Sequence, residues 1–174
     1  MKKCLSLCLL VFLAGSTEEN PTKVTVDMYD ADGDSISTIQ LSEQTDGVEM
    51  NFDLDGLSSG NHAIHFHSIG LCEAPDFMSA GDHFNPEQME HGLLNDTGAH
   101  LGDLPNMTVD ESGTYTGTMK SGATLKDGKN SLVTREGTSI VIHAGADDGM
   151  SQPAGDSGER IACGVISKDK EVVK

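Results

Sequence analysis

The chain has 174 residues, 28 of them acidic and 11 basic, for a formal net charge of −17. That length supports one domain with a core of its own, and an acidic balance spread along the whole chain excludes nucleic acid and anionic membranes as natural partners. Two Tyr, five Phe, no Trp and 20 Gly make the core aliphatic and favour short strands and tight turns over long helices.

Residues 1–16 read as a secretory leader. Lys2 and Lys3 form a basic start, Cys4 to Leu13 an apolar run, and Ala14-Gly15-Ser16 a small-residue cleavage site. The apolar run is too short to span a bilayer. Leu13-Ala14-Gly15 resembles a bacterial lipidation signal, but Ser16 stands where the lipidated cysteine belongs, which argues against membrane attachment. The expectation is an exported domain over residues 17–174, periplasmic or extracellular.

Period-2 alternation then dominates. Segments 23–29 (KVTVDMY), 35–41 (SISTIQL), 48–54 (VEMNFDL) and 61–67 (NHAIHFH) each predict a strand, as do 107–110, 114–119, 139–144 and 160–166. Turn chemistry separates them, as in T45-D-G47, D55-G56 and E111-S-G113. Asp30-Ala-Asp32-Gly-Asp34 has some likeness to a calcium loop, but its Gly comes too early and Leu41 fills the twelfth position. A hairpin turn is the better reading. Short strands at near-regular spacing predict an all-β antiparallel sandwich or flattened barrel. The alternation lapses between His67 and Met107, and again over 145–159; irregular loops that long usually carry function.

Cys4 and Cys8 leave with the leader, so Cys72 and Cys163 remain. In an exported chain that pair reads as a disulfide; in a cytosolic one it would read as two buried thiols. A bridge over so long a loop stabilises by about 4–5 kcal/mol through chain entropy.

All seven histidines fall between His62 and His143. On a strand, His65 and His67 share a face, with Ile64 and Phe66 on the other. Joined by His143 from another strand, they make a preorganised nitrogen site; imidazoles suit copper, zinc, iron or nickel. His83, His91, His100 and Asp103 supply three imidazoles and a carboxylate from the irregular loop, a set that suits structural zinc.

H65-x-H67, S-A-G-D-H83-F-N-P, E-H91-G, H100-x-G-D103-L-P-N, H143-A-G-A-D147-D and G-E-R160-I-A-C163-G-V-I resemble the secreted copper/zinc superoxide dismutases, and G-L-C72-E-A-P-D-F-M-S-A-G is similar to their bacterial branch. The resemblance runs from about residue 22 to 167. It implies an eight-stranded antiparallel Greek-key barrel with two long functional loops, holding one copper and one zinc per chain. By it, His65, His67, His83 and His143 hold copper, and His83, His91, His100 and Asp103 hold zinc, with His83 shared. Asp147 orients a histidine of each site, and Cys72–Cys163 is the family disulfide.

The implied reaction is dismutation of superoxide to dioxygen and hydrogen peroxide. His83 supplies a proton to the forming peroxide, and Arg160 holds the incoming anion with its permanent charge. The resemblance leaves a homodimer open, because the family's branches pair through different surfaces.

Some positions depart from the family or stay outside its motifs. Ser68 follows His67 where an acid or amide is frequent. No Lys lies in the loop before Arg160, and Ala154 replaces the family's gating Thr, so capture depends on copper and Arg160, with Lys120, Lys126 or Lys129 as candidate helpers. His62 is expected as a buried structural imidazole. Sequons at Asn95 and Asn106 arise easily by chance. Two other classes compete: a non-catalytic copper/zinc carrier on the same fold, which would be expected to have lost a copper ligand, and a zinc hydrolase, which needs a general base beside H-x-H. No copper ligand is missing and no such base is present.

Overall fold

The computed structural model describes residues 20–168; the leader at 1–16 lies outside them. In chain order the strands are β1 (Lys23–Asp30), β2 (Ser35–Gln44), β3 (Gly47–Leu54), β4 (Gly60–His62), β5 (Ile64–His67), β6 (Met107–Val109), β7 (Tyr115–Ser121), β8 (Thr138–His143) and β9 (Arg160–Ile166). Among the described residues the sole helical element is a 3-10 turn at Met78–Ala80.

Alternation sets the faces. Val24, Val26 and Met28 of β1, Ile39 and Leu41 of β2, and Val48, Met50, Phe52 and Leu54 of β3 are buried, and the residues between them face outward. The Asp30–Asp34 segment is the predicted hairpin turn: the Asp30 carboxylate accepts from the Asp32 and Asp34 N–H groups, and Gly33 N–H donates to the Asp30 carbonyl.

All pairing between strands is antiparallel, in a seven-stranded sheet of order β5-β8-β9-β1-β2-β3-β7 and a two-stranded sheet of β4 and β6. The non-consecutive neighbours β3–β7 and β5–β8 are Greek-key crossovers. β9 meets β1 through two register pairs alone, Tyr29–Cys163 and Asp30–Ala162, so the long sheet curls around one core.

Eight strands are predicted and nine are present among the described residues, because the fourth segment is divided. Ala63 donates its N–H to the Gly145 carbonyl at 2.8 Å and accepts from His143 N–H at 2.9 Å. At that residue the chain changes partner, from β6 before it to β8 after it. One extended run therefore serves two layers.

The two long loops fall where the alternation lapses. Another irregular stretch, 122–137, joins β7 to β8 around the turn signal K126-D-G-K129. Its Leu125, Leu132 and Val133 belong to the core. Glu43 anchors it, accepting from Leu125 N–H at 2.6 Å and Thr124 Oγ1 at 2.9 Å and pairing with Lys126 Nζ at 2.9 Å.

Candidate metal centre

β5 projects His65 and His67 on the face opposite Ile64 and Phe66, which enter the core. The histidine face is buried too, because the long loop folds back across it. Phe66 N–H donates to the Gly102 carbonyl at 2.9 Å, Phe84 N–H to the Phe66 carbonyl at 2.8 Å, and Gly102 N–H to the Phe84 carbonyl at 2.8 Å. This ladder sets His83 opposite His67 and Asp103 opposite His65. Gly102 is required there, since a Cβ would strike the Phe66 and Phe84 backbones. His143 ends β8 at a register break that pairs its backbone with Arg160; such irregularities re-aim a side chain.

Two groups of four result. His65, His67, His83 and His143 bring ligand atoms within 4.8 Å of one another, and so do His83, His91, His100 and Asp103. His83 belongs to both. Its Nδ1 lies 2.9 Å from Asp103 Oδ1 and 3.4 Å from His100 Nδ1, while its Nε2 has no hydrogen-bond partner. Its ring centroid is 4.0 Å from that of His65.

The donor set fits two cations. His65 Nδ1, His67 Nε2, His83 Nε2, His91 Nδ1 and His143 Nε2 are buried without a hydrogen-bond partner. His91 Nδ1 approaches Asp103 Oδ2 at 3.1 Å, but outside hydrogen-bond geometry. Buried polar atoms are nearly always satisfied; five orphaned nitrogens on converging rings are what bound cations satisfy. The opposite nitrogen of each ring is held: His65 Nε2 by Asp147 Oδ2 at 2.8 Å, His91 Nε2 by Asp147 Oδ1 at 3.1 Å, His67 Nδ1 by the Gly81 carbonyl at 2.8 Å, and His143 Nδ1 by Ser157 Oγ at 3.1 Å. Partners of that kind fix the tautomer and aim the free nitrogen.

Burial also keeps three of the rings uncharged. It pushes His67 down to about 2, reinforced by nearby His83. It pushes His143 down to about 3, reinforced by His65. It takes His83 to about 4 despite the opposing Asp103. For Asp103 burial works upward, but hydrogen bonds from His100, His83 and Gly92 N–H outweigh it and hold the carboxyl well below the usual range. Neutral imidazoles such as His67, His83 and His143 and an ionised carboxylate are ready ligands at neutral pH.

A cavity of about 880 Å³ opens over His83 and His143, with Arg160, Ala154 and Ser68 on its wall. Arg160 donates Nη1–H to the Phe77 carbonyl at 2.7 Å and Nη2–H to the Gly81 carbonyl at 2.8 Å. Asp82 and Asp156 also line it, and among the described residues no Lys does. The suggested helpers are thus corrected: Lys126 is paired with Glu43 at 2.9 Å, Lys129 with Glu87 at 2.8 Å, and Lys120 lies at the β3–β7 end of the sheet. His62 is buried outside both groups, donating Nδ1–H to the His143 carbonyl at 2.8 Å, with Nε2 2.8 Å from the Ser58 carbonyl. Cys72 and Cys163 form a disulfide across 91 residues.

Residues 35–166 match the copper/zinc superoxide dismutase family. The chain belongs to that family. It is 40% identical over 164 residues to superoxide dismutase [Cu-Zn] 1 of Aquifex aeolicus (strain VF5), covering 92% of this chain and 96% of that one. Its fold is similar to a double mutant of a SOD-like protein from Bacillus subtilis, with TM-score 0.80, 36% identity, and 82% and 96% of the two chains covered. It is also similar to the Cu/Zn superoxide dismutase from Brucella abortus, with TM-score 0.69, 28% identity, and 83% and 99% covered. As a family member the chain is an enzyme: it dismutes superoxide to dioxygen and hydrogen peroxide, with copper and zinc as cofactors.

Two residues of this superoxide dismutase centre escape sequence reasoning. Asn106 donates Nδ2–H to the Asp147 carbonyl and accepts from Asp147 N–H, both at 2.8 Å, clamping the residue that spans His65 and His91. Ser157 touches His143. Asparagine and serine are ordinary loop residues, so neither carries a local signal; the N after D103-L-P in the family motif is the one hint of the first.

Proposed function

We propose that His65, His67, His83 and His143 hold the copper, that His83, His91, His100 and Asp103 hold the zinc, and that Arg160 docks superoxide beside the copper group. The observation that carries this reading is the convergence of four buried, unpartnered nitrogens: His65 Nδ1, His67 Nε2, His83 Nε2 and His143 Nε2. The chemistry copper supplies when bound is alternating one-electron oxidation and reduction, which takes one superoxide to dioxygen and the next to peroxide; zinc supplies fixed charge without redox change. Arg160, pinned by two backbone carbonyls, presents its charge to the cavity and orients the anion. His83 Nε2, when free of a cation, would carry a proton that it yields to the peroxide, and Asp103 Oδ1 lies 2.9 Å from Nδ1 on the other side of the ring. A second proton from solvent completes hydrogen peroxide. Asp147 aims one ring of each group, His65 and His91.

The test is metal analysis with superoxide decay on His143→Ala. The expected protein keeps one zinc per chain, loses copper and loses turnover. A variant with full copper content and wild-type turnover overturns the assignment. A carrier on the same fold would bind copper in the unaltered protein yet show no turnover.

We also propose that the chain is exported to the periplasm or beyond the cell. The leader pattern at 1–16 and the Cys72–Cys163 pairing support this. N-terminal sequencing of protein recovered from cell fractions tests it: a start near residue 17 is expected, and a cytoplasmic protein starting at Met1 overturns it.

A further inference from the structure

We infer that Ser157 is a positioning residue for the copper centre, setting the aim of His143; the inference rests on the assignment of His143 as a copper ligand. Ser157 is buried at 2% exposure in a loop that is otherwise largely open. Its hydroxyl oxygen lies 3.1 Å from His143 Nδ1, nearer than the Gly158 carbonyl at 3.3 Å. The backbone around it is fixed on two sides: Gly145 N–H donates to the Ser157 carbonyl at 2.8 Å, and Ser157 N–H donates to the Ala154 carbonyl at 3.3 Å. The hydroxyl therefore stands at a set place behind the ring rather than on a free side chain.

A neutral imidazole carries one N–H. When Nε2 gives its lone pair to a metal, that proton sits on Nδ1, and a partner there must accept. Ser157 Oγ and the Gly158 carbonyl share it, with the hydroxyl as the closer acceptor. The other orientation, with the hydroxyl donating to Nδ1, would put the proton on Nε2 and block the metal. The Gly158 carbonyl can only accept and so selects the Nδ1–H tautomer, while Ser157, as the closer acceptor of that proton, turns Nε2 toward His65 and His67. Without the hydroxyl the ring has the longer carbonyl contact alone and swings toward Gly158. Partners behind a ligating histidine typically govern metal affinity by about 10–100-fold.

The experiment uses the full mature protein loaded with zinc and titrated with copper(II), read by chelator competition and by the electron paramagnetic resonance of the copper. Ser157→Ala is expected to weaken copper(II) binding about tenfold and alter the copper hyperfine pattern, with zinc affinity unchanged. Ser157→Thr, which keeps the hydroxyl, is expected to restore both. An unchanged spectrum and copper affinity in Ser157→Ala overturns the inference, as does equal loss of zinc and copper or failure of Thr to rescue. Should Ser157→Ala not fold, Ser157→Gly and Ser157→Thr are compared in the same assay with the same outcomes deciding. His143→Ala separates the two levels. If it leaves the copper spectrum intact, the ligand assignment falls; if it abolishes the spectrum while Ser157→Ala changes nothing, only the role of Ser157 falls.

Discussion

His67 and Arg160 are held by a single oxygen. The Gly81 carbonyl accepts from His67 Nδ1 and from Arg160 Nη2, each at 2.8 Å. The proposed anion-docking charge and a ring of the proposed copper group are thereby fixed to each other. Arg160→Lys removes the fork that grips Phe77 and Gly81 together, because an ammonium is a point donor on a flexible stem. Loss of that fixed placement, with the charge kept, should lower kcat/KM by about 10-fold, the low end of field effects, with copper and zinc content unchanged. Stopped-flow superoxide decay and metal analysis read the two quantities; loss of copper with the activity would show instead that Arg160 mainly braces the metal.

Asn106 reaches both metal groups through Asp147. Its two backbone bonds hold the carboxylate that meets His65 and His91. Asn106→Ala should weaken copper and zinc together, each by about 10-fold or more. Parallel chelator competition for the two metals tests this, and a drop confined to one of them contradicts the coupling.

The cavity wall sets one guanidinium against two carboxylates, Asp82 and Asp156, on a protein of net charge −17. Salt screens the repulsion of an approaching anion as effectively as the attraction. The turnover rate should stay flat or rise as ionic strength increases. Asp156→Asn should raise the low-salt rate several-fold, within the range of field effects. A steep fall of the wild-type rate with added salt would rule out this balance.

Burial holds His67, His143 and His83 uncharged in the folded, metal-free protein, at about 2, 3 and 4, whereas an unfolded chain returns them to about 6.5. Between those limits the unfolded state binds more protons, so stability falls as pH falls below about 6.5. Three such groups can together remove up to about 4 kcal/mol per pH unit. Denaturant midpoints of metal-free protein at pH 7.5, 6 and 5 give the check. Equal midpoints would mean that the rings charge without unfolding.

Much of this is legible in the sequence because it is local. Alternation in KVTVDMY and VEMNFDL marks strands wherever they pair, and two histidines at i and i+2 must share a face. What alternation lacks is the identity of the partner. The change of layer at Ala63 depends on Gly145 and His143, some eighty residues away, and nothing in NHAIHFH announces it. The same holds for Glu43, whose partners Thr124, Leu125 and Lys126 lie on another loop, and for Lys129 with Glu87. Free lysines and paired lysines look alike in a sequence. Gly155 is a further case. A Cβ there would enter the space of Asp147 and His91, yet in P-A-G-D it reads as any turn glycine.

The disulfide has a consequence beyond loop closure. Cys72 lies shortly before Phe77 and Gly81, whose carbonyls grip Arg160, and Cys163 sits three residues past Arg160 in the same strand. The crosslink splices the rim of the entrance to the wall behind it. A reductant would thus slacken the doorway while the barrel's own ladders stay shut, so the redox poise of the surroundings acts on substrate entry before it acts on the scaffold.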